Sequence, residues 1–249
     1  MKLSVITIAY NAGATIEKTL QSVASQVDAE FEYIVQDGGS DDDTLAIVEK
    51  YRDSVTVLNS QPDNGIADAM NRALDHATGD YVFMLHADDR FVDSGVLART
   101  ASVMDRHPGR DIYAFDVLFG QPPEQRYLRS AGLSWRLNFK QQLWHQGVWA
   151  SRALFERVGL FDSSYRIAMD YDWVMRVYRA GATIHHEPEP LCVMGDGGLS
   201  SQRDLESLRA RLAEERRVHL AWAPGPVWRV LYGVYWFAYG PYKLRDEHE

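Results

Sequence analysis

Residues 79–91 read GDYVFMLHADDRF: a short apolar run, 81–85, that leads through His86 into two adjacent carboxylates, Asp88 and Asp89. An uninterrupted apolar run of this length between turn residues suits a strand buried on both faces. Carboxylates at the end of such a strand are either a solvated turn or a place where something positive is held. Asp89 alone would also serve as the cap of a following helix.

The segments on either side alternate in the same way. LSVITIA (3–9), FEYIVQD (31–37) and VTVL (55–58) read as strands. ATIEKTLQSVASQ (14–26) sets Ile16, Leu20, Val23 and Ala24 on one helical face. SDDDTLAIVEKYR starts a helix with Ser40 as expected N-cap and Asp41, Asp42 and Asp43 as first-turn charges. GIADAMNRALDHA (65–77) is a further helix. Alternating strands and helices predict a mainly parallel sheet, whose ligands bind beyond the carboxyl ends of the strands. The first, second and fourth strands end in AYN (9–11), QDGGSDD (36–42) and HADD (86–89), so polar groups gather at one edge.

The second half is less regular. It reads as a helix at 96–107, a strand at 111–119, a loop or hairpin at 120–128, a strand and helix over 145–159, and a helix at 169–181 closed by Gly181. One or two strands follow at 182–195, with His185 and His186 read as strand-edge residues, then a long charged helix at 200–222. No repeat or linker is evident.

The chain has 249 residues, 46% of them hydrophobic and 24% charged, the composition of a folded globular protein. A net charge of −9 argues against broad nucleic-acid binding. The single cysteine, Cys192, excludes a disulfide framework and a cysteine-based metal site, and suits a cytoplasmic setting. The apolar N-terminal run reads as a buried strand and not as a signal peptide, and no window is long enough to span a bilayer.

A carboxylate pair at a sheet edge is suited to Mg²⁺ or Mn²⁺, which prefer oxygen ligands. QDGGSDD is a glycine-rich turn without the spacing of a dinucleotide fingerprint or a phosphate loop. From residues alone the reading is an α/β nucleotide-type site, open to a divalent cation.

Four motifs in order carry this further: SVITIAYNAGATIEKTLQSVASQ, EYIVQDGGSDDDT, NGIADAMNRALDHATGDYVFMLHADD and HQGVWASRALFERVGLFDSSYRIAMDYDWVMRV. Together they resemble family 2 glycosyltransferases of the GT-A fold, in particular bacterial enzymes of surface polysaccharide and glycolipid synthesis. The resemblance covers about residues 1–200 and leaves 201–249 as C-terminal helices. It implies a Rossmann-like sheet and inverting transfer from a nucleotide sugar (UDP, GDP or dTDP) to a hydroxyl of a glycan or lipid-linked glycan. It also implies a divalent cation, Mn²⁺ or Mg²⁺.

By the same resemblance Ala9, Tyr10 and Asn11 hold the nucleotide, and Asp37 contacts the base beside Gly38. Asp68, His86 and Ala87 fall on the nucleotide side. HADD stands where the family has its DxD motif, and Asp88 matches the metal-binding carboxylate; His86 replaces the first aspartate. Asp170 of MDYD matches the catalytic base, and Met169 replaces the glutamate before it. Asp172 remains as a second candidate base, or else as an exposed helix residue paired with Arg176. Asp89, His145 and Gln146 fall on the acceptor side. GDGGLSS (195–201) matches a glycine-rich loop that closes over the diphosphate.

Residues 222–242 hold eight aromatics: Trp222, Trp228, Tyr232, Tyr235, Trp236, Phe237, Tyr239 and Tyr242. Residues 222–245 are read as a peripheral membrane contact, or alternatively as packing or a homodimer contact. The acidic Asp246, Glu247 and Glu249 that follow oppose attraction to anionic lipid. Two other functions fit less well. An inactive nucleotide-sugar or carbohydrate binding module would explain His86 and Met169. A nucleotidyltransferase would want a basic loop after the first strand, and AYNAGAT has no lysine or arginine.

Overall fold

A computed structural model describes residues 1–141, 143–195, 197 and 204–246. Its frame is a nine-stranded mixed sheet. The first half supplies β1 (Leu3–Ala9), β2 (Phe31–Asp37), β3 (Val57–Ser60) and β4 (Tyr81–Met84). These lie in the order β3-β2-β1-β4 and pair in parallel throughout, as the alternating pattern predicts. β1 is buried along its whole length, which is why it reads as an unbroken apolar run. The second half adds β5 (Arg90–Phe91), β6 (Ile112–Phe119), β7 (Arg126–Leu128), β8 (Val148–Ser151) and β9 (Ile184–Met194). There the sheet continues β8-β6-β9-β5, with β7 against β6, and only the β6–β9 pair is parallel. β6 and β7 form the expected hairpin.

Helices cover both faces: α1 (Ile16–Ala24), α2 (Thr44–Glu49), α3 (Ile66–His76), α4 (Val96–Arg106), α5 (Arg152–Val158) and α6 (Met169–Arg179). α1 buries Ile16, Leu20 and Val23, the face its spacing marks out. α5 is capped by Ser151, whose side chain accepts from the Leu154 N–H at 3.2 Å. Two start signals fall elsewhere than expected. α2 begins at Thr44, because the Ser40 hydroxyl is already engaged with Asp37 and with the Asn11 N–H. Asp89 does not cap a helix: it is followed by β5, and α4 starts at Val96.

The ends of the strands share one level. In register Ala9 lies opposite Asp37, Ile6 lies opposite Met84, and the Leu85 N–H continues the ladder to the Ile6 carbonyl at 2.8 Å. The chain runs from β1 outward to β2 and β3, then returns to the other side of β1 with β4. The strand order thus reverses between β1 and β4, the place where open α/β sheets leave a crevice for ligands.

α7 (Leu205–Ala221) and α8 (Pro226–Asp246) complete the described chain. α7 is stitched to the sheet domain through the Glu214 carboxylate, which accepts the N–H groups of Arg166, Ile167 and Ala168 at 2.7–2.8 Å. α8 rests on α7 through Tyr232 and Trp236, both buried with Leu208 and Leu212. A buried chain of donors ties these helices to α6. The Trp236 indole donates to His219 Nδ1 at 3.0 Å, which leaves the His219 proton on Nε2 facing the Tyr171 hydroxyl at 2.8 Å; that hydroxyl donates to the Leu137 carbonyl.

Burial pulls the His219 pKa from 6.5 down to about 4, so the folded chain resists its protonation. The stabilisation is complete above pH 6.5 and is lost as pH falls from 6.5 towards 4, at most about 3 kcal/mol. Urea unfolding should therefore show the midpoint falling between pH 7 and pH 5, and a smaller fall in His219→Gln. Equal falls in both proteins would remove His219 from the account.

Candidate functional site

Three loops meet at the strand ends. Asp37 is completely buried, and its oxygens accept from the Gly39 and Ser40 N–H groups at 3.0 Å, from the Ser60 hydroxyl at 2.7 Å and from the Ser40 hydroxyl at 2.5 Å. Here it organises its own turn; a base contact from this side chain would displace one of those hydroxyls. The turn is fastened to the end of β1: Gly38 N–H donates to the Ala9 carbonyl at 2.8 Å, and Asn11 Oδ1 accepts the Asp41 N–H at 3.0 Å. Asn11 takes a left-handed φ of 48° to make this junction. Ala9 is buried, whereas Tyr10 leaves 66% of its surface exposed. A Cβ on Gly38 would stand 2.5 Å from Asp63 Oδ2 and 3.3 Å from the Tyr10 ring, so only glycine lets these side chains close in. Asp68, in the first turn of α3, holds the preceding loop through the Asn64 N–H at 2.9 Å and pairs with Arg72 at 2.9 Å.

The 86–89 segment is a tight turn, closed by Asp89 N–H to the His86 carbonyl at 3.0 Å and gripped by Thr19, whose hydroxyl donates to the Asp89 carbonyl at 2.6 Å. The end of β9 clasps it from the other side. A Cβ on Gly195 would lie 2.7 Å from Asp88 Oδ2, and the Gly195 N–H donates to Asp89 Oδ1 at 2.9 Å. Asp88 is half-buried, Ala87 and Asp89 are buried, and Asp89 Oδ2 has no hydrogen-bond partner among the described residues. Burial, and after it the charge of Asp88, push the Asp89 carboxyl well above the ordinary range. Residues 196 and 198–201 of the glycine-rich loop lie outside the described residues.

Among the described residues no three His, Cys, Asp or Glu groups converge as a metal cluster. The donor set among the described residues is instead sparse: Asp88, with Asp89 Oδ2 beside it. That suits Mg²⁺ or Mn²⁺ arriving with a diphosphate that supplies further oxygens, and does not suit an ion held by protein alone.

The residues expected on the acceptor side come from positions far apart in sequence. His86 Nε2 and His145 Nε2 are 2.8 Å apart, and His145 Nδ1 is 3.4 Å from Asp170 Oδ2. Burial, then the neighbouring His145, lower the His86 pKa to about 3, so His86 is neutral. A neutral His145 that donates to Asp170 from Nδ1 accepts from His86; a charged one donates to both. Either way a proton stands between His145 and Asp170. His86 is thereby turned towards His145 and engaged there.

Asp170 occupies the first turn of α6, where the helix dipole favours a negative charge. The Tyr171 N–H donates to its Oδ1 at 2.7 Å and Gln141 approaches its Oδ2 at 3.4 Å. Burial pushes its carboxyl up, but the bond and charge from His145, with these other donors, outweigh it and hold the pKa below the ordinary value. A quarter of the side chain, 25%, stays exposed. Asp172 is placed differently. It is buried, accepting the Arg176 Nε–H at 3.1 Å and the Trp222 indole at 2.8 Å. The expected Arg176 pair exists, but the residue is not exposed, and with both oxygens occupied it is a fastening and no candidate base. Met169 is buried in the core.

Gln146 follows His145 in a single helical turn, and its carbonyl accepts the Cys192 thiol at 2.9 Å. Gly147 lies so close to the Phe115 carbonyl that any side chain would collide with it. His185 and His186 lie on β9 where it borders only β6, and His186 meets the buried Asp116 at 2.7 Å. A concave region of about 480 Å³ between α1, Arg90 and Gln121 holds none of the carboxylates above. Gln141 and Glu214 had no signal in the sequence, whereas Gly195 opens the glycine-rich stretch 195–201 that the sequence already marks.

These strand-end loops, with a carboxylate on a helix N-terminus facing them, form the ligand-binding edge of an α/β protein. The glycosyl transferase family 2 model matches residues 4–168, and the chain belongs to that family. The PGL/p-HBAD biosynthesis glycosyltransferases of Mycobacterium bovis and Mycobacterium tuberculosis are 31% identical over 191 residues, 73% of this chain and 71% of theirs. The poly(ribitol-phosphate) beta-N-acetylglucosaminyltransferase TarS of Staphylococcus aureus is 38% identical over 112 residues, 43% of this chain and 19% of TarS. Among solved structures, TarS 1–349 with UDP-GlcNAc superposes with a TM-score of 0.68 at 22% identity, over 89% of this chain and 71% of that one. The mannosyltransferase PcManGT of Pyrobaculum calidifontis, with GDP-Man and Mn²⁺, gives 0.71 at 21% identity, over 99% of this chain and 72% of that one. The fold is GT-A, and the protein is a glycosyltransferase.

Proposed function

We propose that this chain transfers a sugar, with inversion, from a nucleoside-diphosphate sugar to a hydroxyl of a glycan or lipid-linked glycan in surface polysaccharide or glycolipid synthesis. The observation that carries this reading is Asp170, held ionised on the first turn of α6 and joined through His145 to the turn that bears Asp88. The nucleotide would lie over the ends of β1 and β2, with its base against the exposed Tyr10 ring. Relatives suit either chemistry of donor: TarS was solved with a uridine nucleotide and PcManGT with a guanosine one.

Asp170 takes the proton of the acceptor hydroxyl as its oxygen bonds to the anomeric carbon. The bond from that carbon to the diphosphate breaks on the opposite face, and the nucleoside diphosphate leaves with the electron pair. His145 is a positioning residue: its Nδ1 proton holds the Asp170 carboxylate in one orientation. A divalent ion held by Asp88 would neutralise the charge on the leaving diphosphate.

The test is a donor panel. UDP-, GDP- and dTDP-sugars are assayed for thermal stabilisation and slow donor hydrolysis, with and without Mn²⁺. One nucleotide class should stabilise the chain and be hydrolysed. Stabilisation with neither hydrolysis nor transfer to any acceptor would favour a binding module instead.

A further inference from the structure

We propose that the recess between α1, β5 and the β6–β7 hairpin binds a phosphate-bearing segment of a glycan. The recess measures about 480 Å³, the size of an ordinary ligand site. Among the described residues its wall consists of Lys18, Gln21, Ser22, Ser25, Arg90 and Gln121. That is two cations, two amides and two hydroxyls, with no acidic and no apolar side chain. The first four recur at intervals of three and four residues, so they share one face of α1 and its end, away from the buried Ile16, Leu20 and Val23.

What the wall lacks is a counter-charge. Glu17, beside Lys18 in sequence, turns instead to Lys50 at 3.8 Å. The Arg90 guanidinium meets Gln121 Oε1 at 3.3 Å, a neutral acceptor that orients it without cancelling its charge. Among the described residues neither Lys18 nor Arg90 forms an ion pair. The chain as a whole carries −9, so an anion is repelled by the protein at large and held where cations stand uncompensated. Guanidinium and ammonium groups bind phosphate oxygens through charge-assisted hydrogen bonds. The Ser22 and Ser25 hydroxyls donate to the Thr19 and Ser22 carbonyls at 2.8 and 3.1 Å, which leaves their oxygens to accept from sugar hydroxyls, and the amides can both donate and accept. The recess is far larger than one phosphate group, and the polar remainder of its wall suits the sugar that carries it.

The recess holds none of the reacting carboxylates, yet it adjoins the turn that bears them. Arg90 directly follows Asp89, and Thr19, next to Lys18, bonds the Asp89 carbonyl at 2.6 Å. The place of this ligand in the reaction rests on the proposed transfer to a glycan: the segment held here is a part of the acceptor away from the hydroxyl that reacts. The substrate class is then a glycan that carries phosphate, taken in preference to a neutral one.

Isothermal titration of the full chain with glucose 6-phosphate, inorganic phosphate and glucose tests this without donor or metal. Glucose 6-phosphate should bind, inorganic phosphate should bind more weakly, and glucose should not bind measurably. Lys18→Glu, at an exposed helix position, and Arg90→Ala should each weaken glucose 6-phosphate binding about tenfold, with the circular dichroism spectrum unchanged. Added salt should weaken binding by the unaltered chain, and Asp88→Ala should bind as that chain does. No binding by the unaltered chain, or unchanged binding in Lys18→Glu, would overturn the proposal. So would loss of binding in Asp88→Ala or displacement by UDP, since the phosphate would then sit in the donor site. Equal affinity for inorganic phosphate would leave no part for the sugar and overturn the glycan assignment. Donor hydrolysis is measured on the same samples: hydrolysis without glucose 6-phosphate binding would defeat the recess alone, and binding without hydrolysis the transfer reading alone.

Discussion

Asp170→Asn should lower transfer about 10²–10⁴-fold, the range for a lost general base, with donor binding unchanged. Asparagine keeps the shape of the side chain and can still accept from the Tyr171 N–H, but it cannot take a proton. Its amide would also face the His145 Nδ1 proton that the carboxylate now accepts. The pH profile gives a second readout. Because the Asp170 pKa is held below its ordinary 3.8, the base stays ionised from neutrality down through the mildly acid range. Turnover should then stay level until the chain itself loosens in acid. An acid limb near the ordinary histidine value, kept in a fully folded sample, would move the base role from Asp170 to His145. His145→Gln should leave the base in place but less well oriented, lowering kcat more than it raises KM. A change confined to KM would make His145 an acceptor contact and no positioning residue.

Asp88→Ala should abolish Mn²⁺-dependent donor stabilisation and lower transfer roughly 10²–10³-fold, in keeping with the several kcal/mol a bound metal supplies to a leaving oxyanion. Asp88 is half-buried at the turn, and bonds through Asp89, His86 and Thr19 hold the turn as well. Asp89→Ala is the informative contrast: it should unfasten the Gly195 N–H and lower thermal stability, because Asp89 holds the end of β9. Isothermal titration with Mn²⁺ and the nucleoside diphosphate separates the two. Unchanged metal-dependent binding in Asp88→Ala would remove that carboxylate from the ion.

Local sequence determined the first four strands, their parallel pairing and the gathering of polar loops at one edge. Burial on both faces leaves an unbroken apolar run, and a turn leaves glycine and aspartate. It also placed Asp37, Asp88, Asp89, Asp170 and Asp172 where regular elements begin or end, and the family resemblance then separated Asp88 and Asp170 from the rest. The tertiary structure alone decided which carboxylates are free to react. Asp170 and Asp172 are two residues apart on one helix, so they point to different sides. One meets His145, from a loop 25 residues earlier; the other meets the Trp222 indole, 50 residues later. No periodicity encodes such contacts. Residues 226–242 are apolar nearly all round, so their pattern could not say which face of α8 would be buried. Only the position of α7 settled that, by taking Tyr232 and Trp236 and leaving Val230, Val234 and Phe237 to solvent.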